Sequence, residues 1–232
     1  MTTVDELLAL GDDALIAAQR LGEWCSRAPE MEEDIALTNI ALDQLGAARL
    51  LLTYAGELGG AGQTEDDLAY LRDDREFRNC LLVELPDTDF AVTIGKLLFL
   101  SAHQRLRYEA LAGGADEQLA GIAAKAVKES AYHLDHSSLW TVRLGDGTEE
   151  SRRRMQSAVD GLWPYTHELF EGGDHRDAWL SIVEPVLAEA TLDRPADGWA
   201  PTGGRVGRHT EHLSYLLAEM QVLHRAHPGA RW

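Results

Sequence analysis

The segment Met31–Leu58, MEEDIALTNIALDQLGAARLLLTYAGEL, decides the fold of this chain. Its apolar residues recur at helical spacing, at Ile35, Ile40, Leu42, Leu45, Leu52 and Tyr54. Because an α-helix rises about 1.5 Å per residue, a helix of this length is about 40 Å long. Pro29 suits its start, and Gly-Gly-Ala-Gly at 59–62 is a strong stop signal. The segment therefore predicts one long, uninterrupted helix.

The rest of the chain repeats this pattern of long helices joined by glycine-containing stops. We predict helical segments at Asp5–Ser26, Asp66–Glu84, Phe90–Leu111, Glu117–Leu144, Thr148–Glu171, Asp174–Leu192 and Arg208–Ala226. Gly11 is a point of bending or interruption, Pro164 is expected to kink or split its helix, and Pro185 to break another. Strand signals are nearly lacking, so the predicted fold class is an all-α bundle of long, roughly antiparallel helices.

Length and composition fit a single helical domain over residues 1–232. Hydrophobic residues make up 45% of the 232 residues, enough to bury a sizeable core. The net charge is −18, with 21 Lys and Arg against 39 Asp and Glu, which argues against nucleic acid or an anionic membrane as partner. The acidity favours solubility, and a complementary basic partner stays open.

The lack of a recognisable targeting signal and the low cysteine content both lead us to expect a cytoplasmic protein. No stretch approaches the ~18 unbroken apolar residues of a membrane span, and the start MTTVDELLAL lacks a basic segment. Cys25 and Cys80 are too few for a disulfide framework and lack metal-site spacing. Both are expected to be buried free thiols.

Long-helix bundles often bind metals, so we searched for the di-iron carboxylate pattern. It needs a Glu from each of two helices and Glu-x-x-His from each of two others. The residue three positions before His133 is Ser130, and that before His103 is Leu100, so neither histidine completes the motif. Three histidine pairs occur at this spacing, at 133/136, 209/212 and 224/227. The pairs 133/136 and 209/212 are expected to be surface or partly buried histidines with local hydrogen bonds, because no matching carboxylates accompany them in sequence. The pair 224/227 lies near an end that can fray and is a weaker metal candidate still.

Several ordered segments together carry a family resemblance. They are Glu32–Leu37, Ala41–Gly46, Arg75–Asn79, Tyr132–Ser138, Arg143–Ser151, Leu162–Thr166 and His227–Trp232. The chain resembles the non-catalytic, C-type subunit of bacterial phenylacetyl-CoA epoxidases, the multicomponent phenylacetate-CoA ring oxygenases. The likeness extends over most of the chain.

The resemblance implies a ferritin-like fold and a structural role in aerobic phenylacetate breakdown. In that family the di-iron centre belongs to a homologous catalytic A-type subunit, which also binds the CoA substrate. A separate reductase with flavin and an iron–sulfur cluster supplies electrons from NADPH, and the product is a ring epoxide. No cofactor is then expected in this chain itself.

The resemblance also suggests which positions descend from the metal site. The first Glu-x-x-His of the catalytic relative falls on Gln44-x-x-Ala47 and the second on Ser130-x-x-His133. Glu23 holds the place of one remaining carboxylate. Too few ligands survive for two irons, so no metal is expected at these positions.

One further position completes this comparison. The ligand position on the helix Phe90–Leu111 is apolar, near Phe99 or Leu100. We expect Glu23 and His133 to be buried in a small polar cluster of the bundle core, with Asp43 as a candidate member, since buried polar groups need partners.

Two alternatives stay open from the sequence. One is a stand-alone ferritin-like oxidase with an unusual metal site, for which Glu23, Asp43, Glu129 and His133 are the candidate ligands. The other is a homomeric bundle without chemistry. A homodimer of the isolated chain is also expected, because a surface meant for a homologous partner can pair with its own copy.

Overall fold

A computed structural model describes residues 2–171 and 173–230. Of the segment His227–Trp232, which contributes to the family resemblance, Arg231 and Trp232 lie outside the described residues. Within the described residues there are nine α-helices, three 3-10 helices and no β-strand. The α-helices are α1 (Val4–Gly22), α2 (Met31–Gly59), α3 (Glu65–Tyr70), α4 (Leu81–Glu84), α5 (Phe90–Ala112), α6 (Glu117–Gly145), α7 (Glu149–Leu162), α8 (Arg176–Glu189) and α9 (Glu211–Ala226).

The predicted fold class, an all-α ferritin-like bundle of long antiparallel helices with additional shorter ones, is confirmed. The sequence marks the helix ends by their caps. The side chains of Thr3, Asp89, Asp116 and Thr148 each accept a hydrogen bond from a backbone N–H of the first helical turn. Gly60 ends α2 with φ of 67°, a left-handed conformation that favours glycine.

The described residues form two compact units. Unit 1 contains the described residues within 1–86 and 202–232, and unit 2 contains those within 87–201. Each unit contains one pair of long helices, α1 with α2 in unit 1 and α5 with α6 in unit 2. The single-domain assignment of 1–232 stays a prediction.

In unit 1, α1 runs antiparallel to α2. A Cβ at Gly11 would lie 2.9 Å from the Leu52 side chain, so glycine lets the two helices approach closely there. An interruption at Gly11 is therefore wrong, because α1 is continuous through this glycine, which serves as a packing site; a bend there stays a prediction. The predicted end at Ser26 is also wrong: α1 ends at Gly22, and a series of turns continues to Arg27.

In unit 2, the short connection 113–116 sends α6 back along α5, and an aromatic cluster fills the core beside them. The rings of Phe99, Trp163 and Trp179 lie 5.6–5.7 Å apart, and the indole N–H of Trp179 donates to the backbone oxygen of Phe99 at 2.9 Å. Buried tryptophans usually satisfy this donor. These large rings fix the position of α8 on α5.

The two helix-internal prolines have different outcomes. At Pro164 the predicted split occurs, because α7 ends at Leu162 and a 3-10 helix, Trp163–Phe170, follows. At Pro185 the predicted break is wrong, because α8 continues to Glu189. Proline removes the hydrogen bond to the carbonyl of Ser181, and both residues are exposed, so water can hydrate that carbonyl.

Candidate functional site

The positions aligned with a metal site are divided between the two units, and we describe each group in its own unit. In unit 1, Gln44 and Ala47 are buried on α2, and Asp43 is partly exposed. Glu23 is different. It follows the last residue of α1, its side chain is 42% exposed, and Arg20 donates to it at 2.7 Å.

The expected burial of Glu23 in a core polar cluster is therefore wrong. The reason is local, since α1 ends one residue earlier and the chain turns there, so this carboxylate reaches solvent. Cys25, in the same turn, is also exposed, whereas Cys80 is buried as expected.

In unit 2, Ser130 and His133 are both buried on α6. The Ser130 hydroxyl donates to the Ala126 carbonyl at 2.8 Å, a common arrangement for a serine within a helix. Phe99 and Leu100 are buried as well. The α5 position that the resemblance equates with a ligand is thus occupied by the aromatic core.

The donors at these positions do not fit a binuclear iron centre. Gln44 is a neutral amide, Ala47 has no donor atom, and Ser130 already bonds its own helix. Among the described residues, no group of three or more His, Cys, Asp or Glu side chains is placed to hold a metal ion. Two of the four candidate ligands of the alternative oxidase form ion pairs on their own helices or helix ends, Glu129 with Lys125 and Glu23 with Arg20.

The histidine pairs are hydrogen-bonded or stacked at several of the expected positions. Nδ1 of His209 lies 2.8 Å from a Glu84 carboxylate oxygen, and Nε2 lies 3.1 Å from the Phe77 carbonyl oxygen. His224 stacks on Tyr70 with ring centroids 4.8 Å apart. The expectation of local hydrogen bonds is therefore wrong for His209, whose two partners lie 125 and 132 residues away in sequence.

Sequence reasoning missed a buried polar network that holds unit 1 together. Glu84 is fully buried, and its carboxylate accepts from the Asn79 side chain at 2.9 Å, from His209 at 2.8 Å and from the backbone N–H of Thr210 at 2.6 Å. The backbone oxygen of Glu84 accepts two hydrogen bonds from Arg20. The network joins α4 to α1 and to the segment before α9.

A second part of the network surrounds two adjacent carboxylates of α1. Asp12 pairs with Arg72, and Asp13 accepts two hydrogen bonds from Arg205 at 2.7 and 2.9 Å. Burial raises the pKa of Asp12, against the opposing effects of Arg72 and of the backbone N–H of Arg78. Buried and paired, these charges fix loop positions more than they add stability.

Unit 2 holds a histidine pair outside the predicted pairs, of which His103 is buried and His175 is partly buried. Nε2 of His175 lies 2.9 Å from Nδ1 of His103, so one ring donates to the other. Burial lowers the pKa of His175, and the positive charge of Arg107 lowers it further. Because two ring nitrogens face each other, they serve one another as partners and do not point to a common metal.

A charged cluster anchors the segment 193–197 in unit 2. The Asp197 carboxylate accepts hydrogen bonds from the Trp163 indole, from Arg176 and from Arg194 at 2.7–3.1 Å. Partial burial acts to raise the pKa of Asp197, but these three donors outweigh it and lower the pKa to about 2.

The main surface feature of unit 1 is an uncovered apolar face on α2. Leu37, Ile40 and Leu51 on its inner side are buried. Five apolar side chains on the opposite side are exposed, Met31 by 76%, Ile35 by 56%, Leu42 by 59%, Leu45 by 41% and Leu50 by 42%. We call these five residues the α2 face. A helix that is apolar all round is normally covered on all sides.

Length and composition make α2 the one helix in the described part of the chain that could cross a membrane. A single helix of this kind is weak evidence, because the core helix of a soluble protein passes the same test. In this structure α2 packs along α1 within unit 1.

Comparison with known proteins gives a consistent result. The family model described as "Phenylacetic acid catabolic protein" matches residues 1–232. The chain is 47% identical, over 241 aligned positions, to the C-type subunit of the 1,2-phenylacetyl-CoA epoxidase of Escherichia coli (strain K12), and the alignment covers 97% of each protein. The resemblance read from the sequence segments is confirmed, and the chain belongs to the phenylacetic acid catabolic protein family.

Proposed function

We propose that this chain is a structural, non-catalytic subunit of a multicomponent phenylacetyl-CoA epoxidase that acts in aerobic phenylacetate degradation. Its proposed partner is the homologous A-type subunit, which carries the di-iron centre. Support comes from the similarity to a C-type epoxidase subunit over nearly the whole length of both chains. The proposed location is the cytoplasm.

The observation that carries the non-catalytic role is the chemistry at the aligned ligand positions. Gln44, Ala47 and Ser130 cannot supply the two carboxylates and the imidazole that the catalytic relative would place there. Glu23, the surviving carboxylate, is bound to Arg20 at the surface. In this proposal the chain holds no metal, and it supports the fold or position of the subunit that does.

Elemental analysis is the first test. The chain is expressed alone with iron, manganese and zinc supplied, and the metal content per chain is measured. We expect a stoichiometry near zero. One or two tightly held metals per chain would contradict the proposal, and Asp43 and His133 would then be tested as ligands.

Reconstitution is the second test. Epoxidation of phenylacetyl-CoA is measured with NADPH and the reductase, using this chain alone, the A-type subunit alone and the two together. We expect turnover only when the A-type subunit is present, and higher or more durable turnover when this chain is added. Turnover by this chain alone would overturn the proposal.

A further inference from the structure

The α2 face has the spacing of a surface that docks another helix. Met31, Ile35, Leu42 and Leu45 follow one another at intervals of four, seven and three residues, so they lie on one side of the helix. Leu50 widens this stripe toward the C-terminal half of α2. All five belong to a helix whose opposite side is already buried in unit 1.

Few charges interrupt the α2 face. Between Asp34 and Glu57, 22 residues of α2 contain only two charged side chains, Asp43 and Arg49, although 26% of the whole chain is charged. The exposed surface of α7 is charged instead, since Glu150 pairs there with Arg153 and Arg154. The α2 face therefore differs from a surface adapted to water.

A groove of about 300 Å³ continues the α2 face on one flank. Its floor is apolar and buried, formed by Leu15, Ala48, Leu52 and Ala69. Leu45 belongs to both the α2 face and the wall of the groove. Arg49 of α2 and three residues of α3 complete the lining, namely Glu65, Asp66 and Tyr70. A groove with an apolar floor and a charged rim is suited to one large apolar side chain.

The size of the α2 face agrees with the centre of an interface. Residues 31–50 span about 28 Å at 1.5 Å per residue, and a helix is about 11 Å wide, which gives roughly 300 Å². Stable interfaces bury about 800 Å² per partner, with an apolar centre and a polar rim. The face and groove can thus form the apolar centre, with charged neighbours such as Glu65 at the rim.

We propose that the α2 face and its groove are the docking surface for the homologous A-type subunit, which lays an apolar helix along α2 and inserts one large apolar side chain into the groove. This inference rests on the proposed function. The partner's rim beside Asp66 carries Lys or Arg, because two carboxylates border the groove against one cation, Arg49, which already pairs with Glu65 at 3.4 Å. A second copy of this chain fits less well, since each copy brings a net charge of −18.

The test compares Leu42→Asp with a matched control, Val222→Asp. Both residues are about 60% exposed within helices of unit 1, but Val222 lies on α9 and belongs neither to the α2 face nor to the lining of the groove. Affinity for the A-type subunit is measured by titration calorimetry, and the helix content and melting of each variant are checked by circular dichroism. We expect Leu42→Asp to weaken binding about a hundredfold, because a buried unpaired carboxylate is costly. Val222→Asp should bind within about twofold of the parent chain.

A second variant keeps the inference testable if Leu42→Asp fails to fold. Glu65→Lys combined with Asp66→Lys replaces two exposed or partly exposed charges of α3 and breaks the surface ion pair between Glu65 and Arg49. We expect it to slow association with the A-type subunit at low ionic strength about tenfold or more. An unchanged association rate would argue against the assigned groove.

The outcomes separate this inference from the proposed function. If the parent chain does not bind the A-type subunit, the proposed function fails. If the parent chain binds and Leu42→Asp binds equally, only the docking surface is wrong. If the parent chain associates tightly with itself and Leu42→Asp does not, the occupant of the α2 face is a second copy of this chain. If the parent chain binds phosphatidylcholine vesicles and Leu42→Asp does not, the occupant is a membrane. Either result would overturn the inference.

Discussion

Replacing Glu84 by Gln tests the idea that one buried carboxylate joins the distant parts of unit 1. Gln has the same shape, but it carries two N–H donors in place of one acceptor oxygen. Glu84 accepts from Asn79, His209 and the backbone of Thr210, so an amide would set donor against donor at one of its two ends. The substitution therefore removes acceptors without creating a cavity.

The magnitude follows from these contacts. Net contributions of hydrogen bonds to charged groups are about 1.5–3 kcal/mol each, and breaking a buried ion pair by removing one partner costs about 3–5 kcal/mol. We expect Glu84→Gln to lower the free energy of unfolding by about 3 kcal/mol. For a chain of 232 residues, that corresponds to a fall in melting temperature of roughly 6–12 °C.

Glu150→Gln is the matched control. Hydrogen bonds from Arg153 and Arg154 lower the pKa of Glu150 to about 2, but the pair is exposed and screened by solvent. This variant should melt with the parent chain. Both variants are compared by urea denaturation followed by circular dichroism. A change below about 0.5 kcal/mol for Glu84→Gln, or an equal loss for both variants, would refute the reasoning.

Three further predictions concern other parts of the fold. Asp197→Asn should lower the melting temperature at pH 7, because a carboxylate with a lowered pKa stabilises the fold while it is ionised. The difference in melting temperature between variant and parent should shrink as pH falls from 3.8 toward 2, and a difference that stays constant over this range would contradict the prediction. Gly145→Ala should lower the free energy of unfolding, measured in urea, by about 1–3 kcal/mol, because its Cβ would lie 2.2 Å from a backbone oxygen at the end of α8. Its control is Gly121→Ala, where the space around the Cβ is open, and this variant should raise the free energy of unfolding by about 0.5–1 kcal/mol. Arg205→Met should cost about 3–5 kcal/mol of unfolding free energy, because Asp13 loses its charged partner and keeps only the hydrogen bond from the backbone N–H of Cys80. Adding Asp13→Asn should recover part of that loss in a double-mutant cycle.

The long helices could be predicted because their signals are local. Helix α2 begins at Met31 as expected and ends one residue after the predicted end, and α5 and α6 each extend one residue further than predicted. Capping side chains and glycine stops set these limits within a few residues of each end. The break predicted at Pro185 was wrong because the effect of a proline depends on whether water can reach the carbonyl that loses its hydrogen bond. The spacing of apolar residues in the sequence does not reveal this exposure.

The buried polar network could not be predicted from spacing. Asp12 and Arg72 are 60 residues apart, and Glu84 and His209 are 125 apart. A signal was nevertheless present, since Asp12 and Asp13 interrupt an otherwise apolar stretch of α1. Carboxylates on a buried helix face require partners from elsewhere in the chain. For Glu23, one residue beyond the helix end was enough to move the side chain from the expected core to solvent.

The discontinuous composition of unit 1 has a consequence for synthesis on the ribosome. Helices α1–α4 emerge first, but Arg205, His209 and Thr210, which bind their buried carboxylates, are made more than a hundred residues later. Unit 2 is continuous in sequence and can fold as soon as it leaves the exit tunnel. Until these later residues are made, Asp13 and Glu84 have only the partners that the N-terminal part supplies, the backbone N–H of Cys80 and the Asn79 side chain. During that interval chaperones or an early-bound partner would protect its apolar surfaces from aggregation.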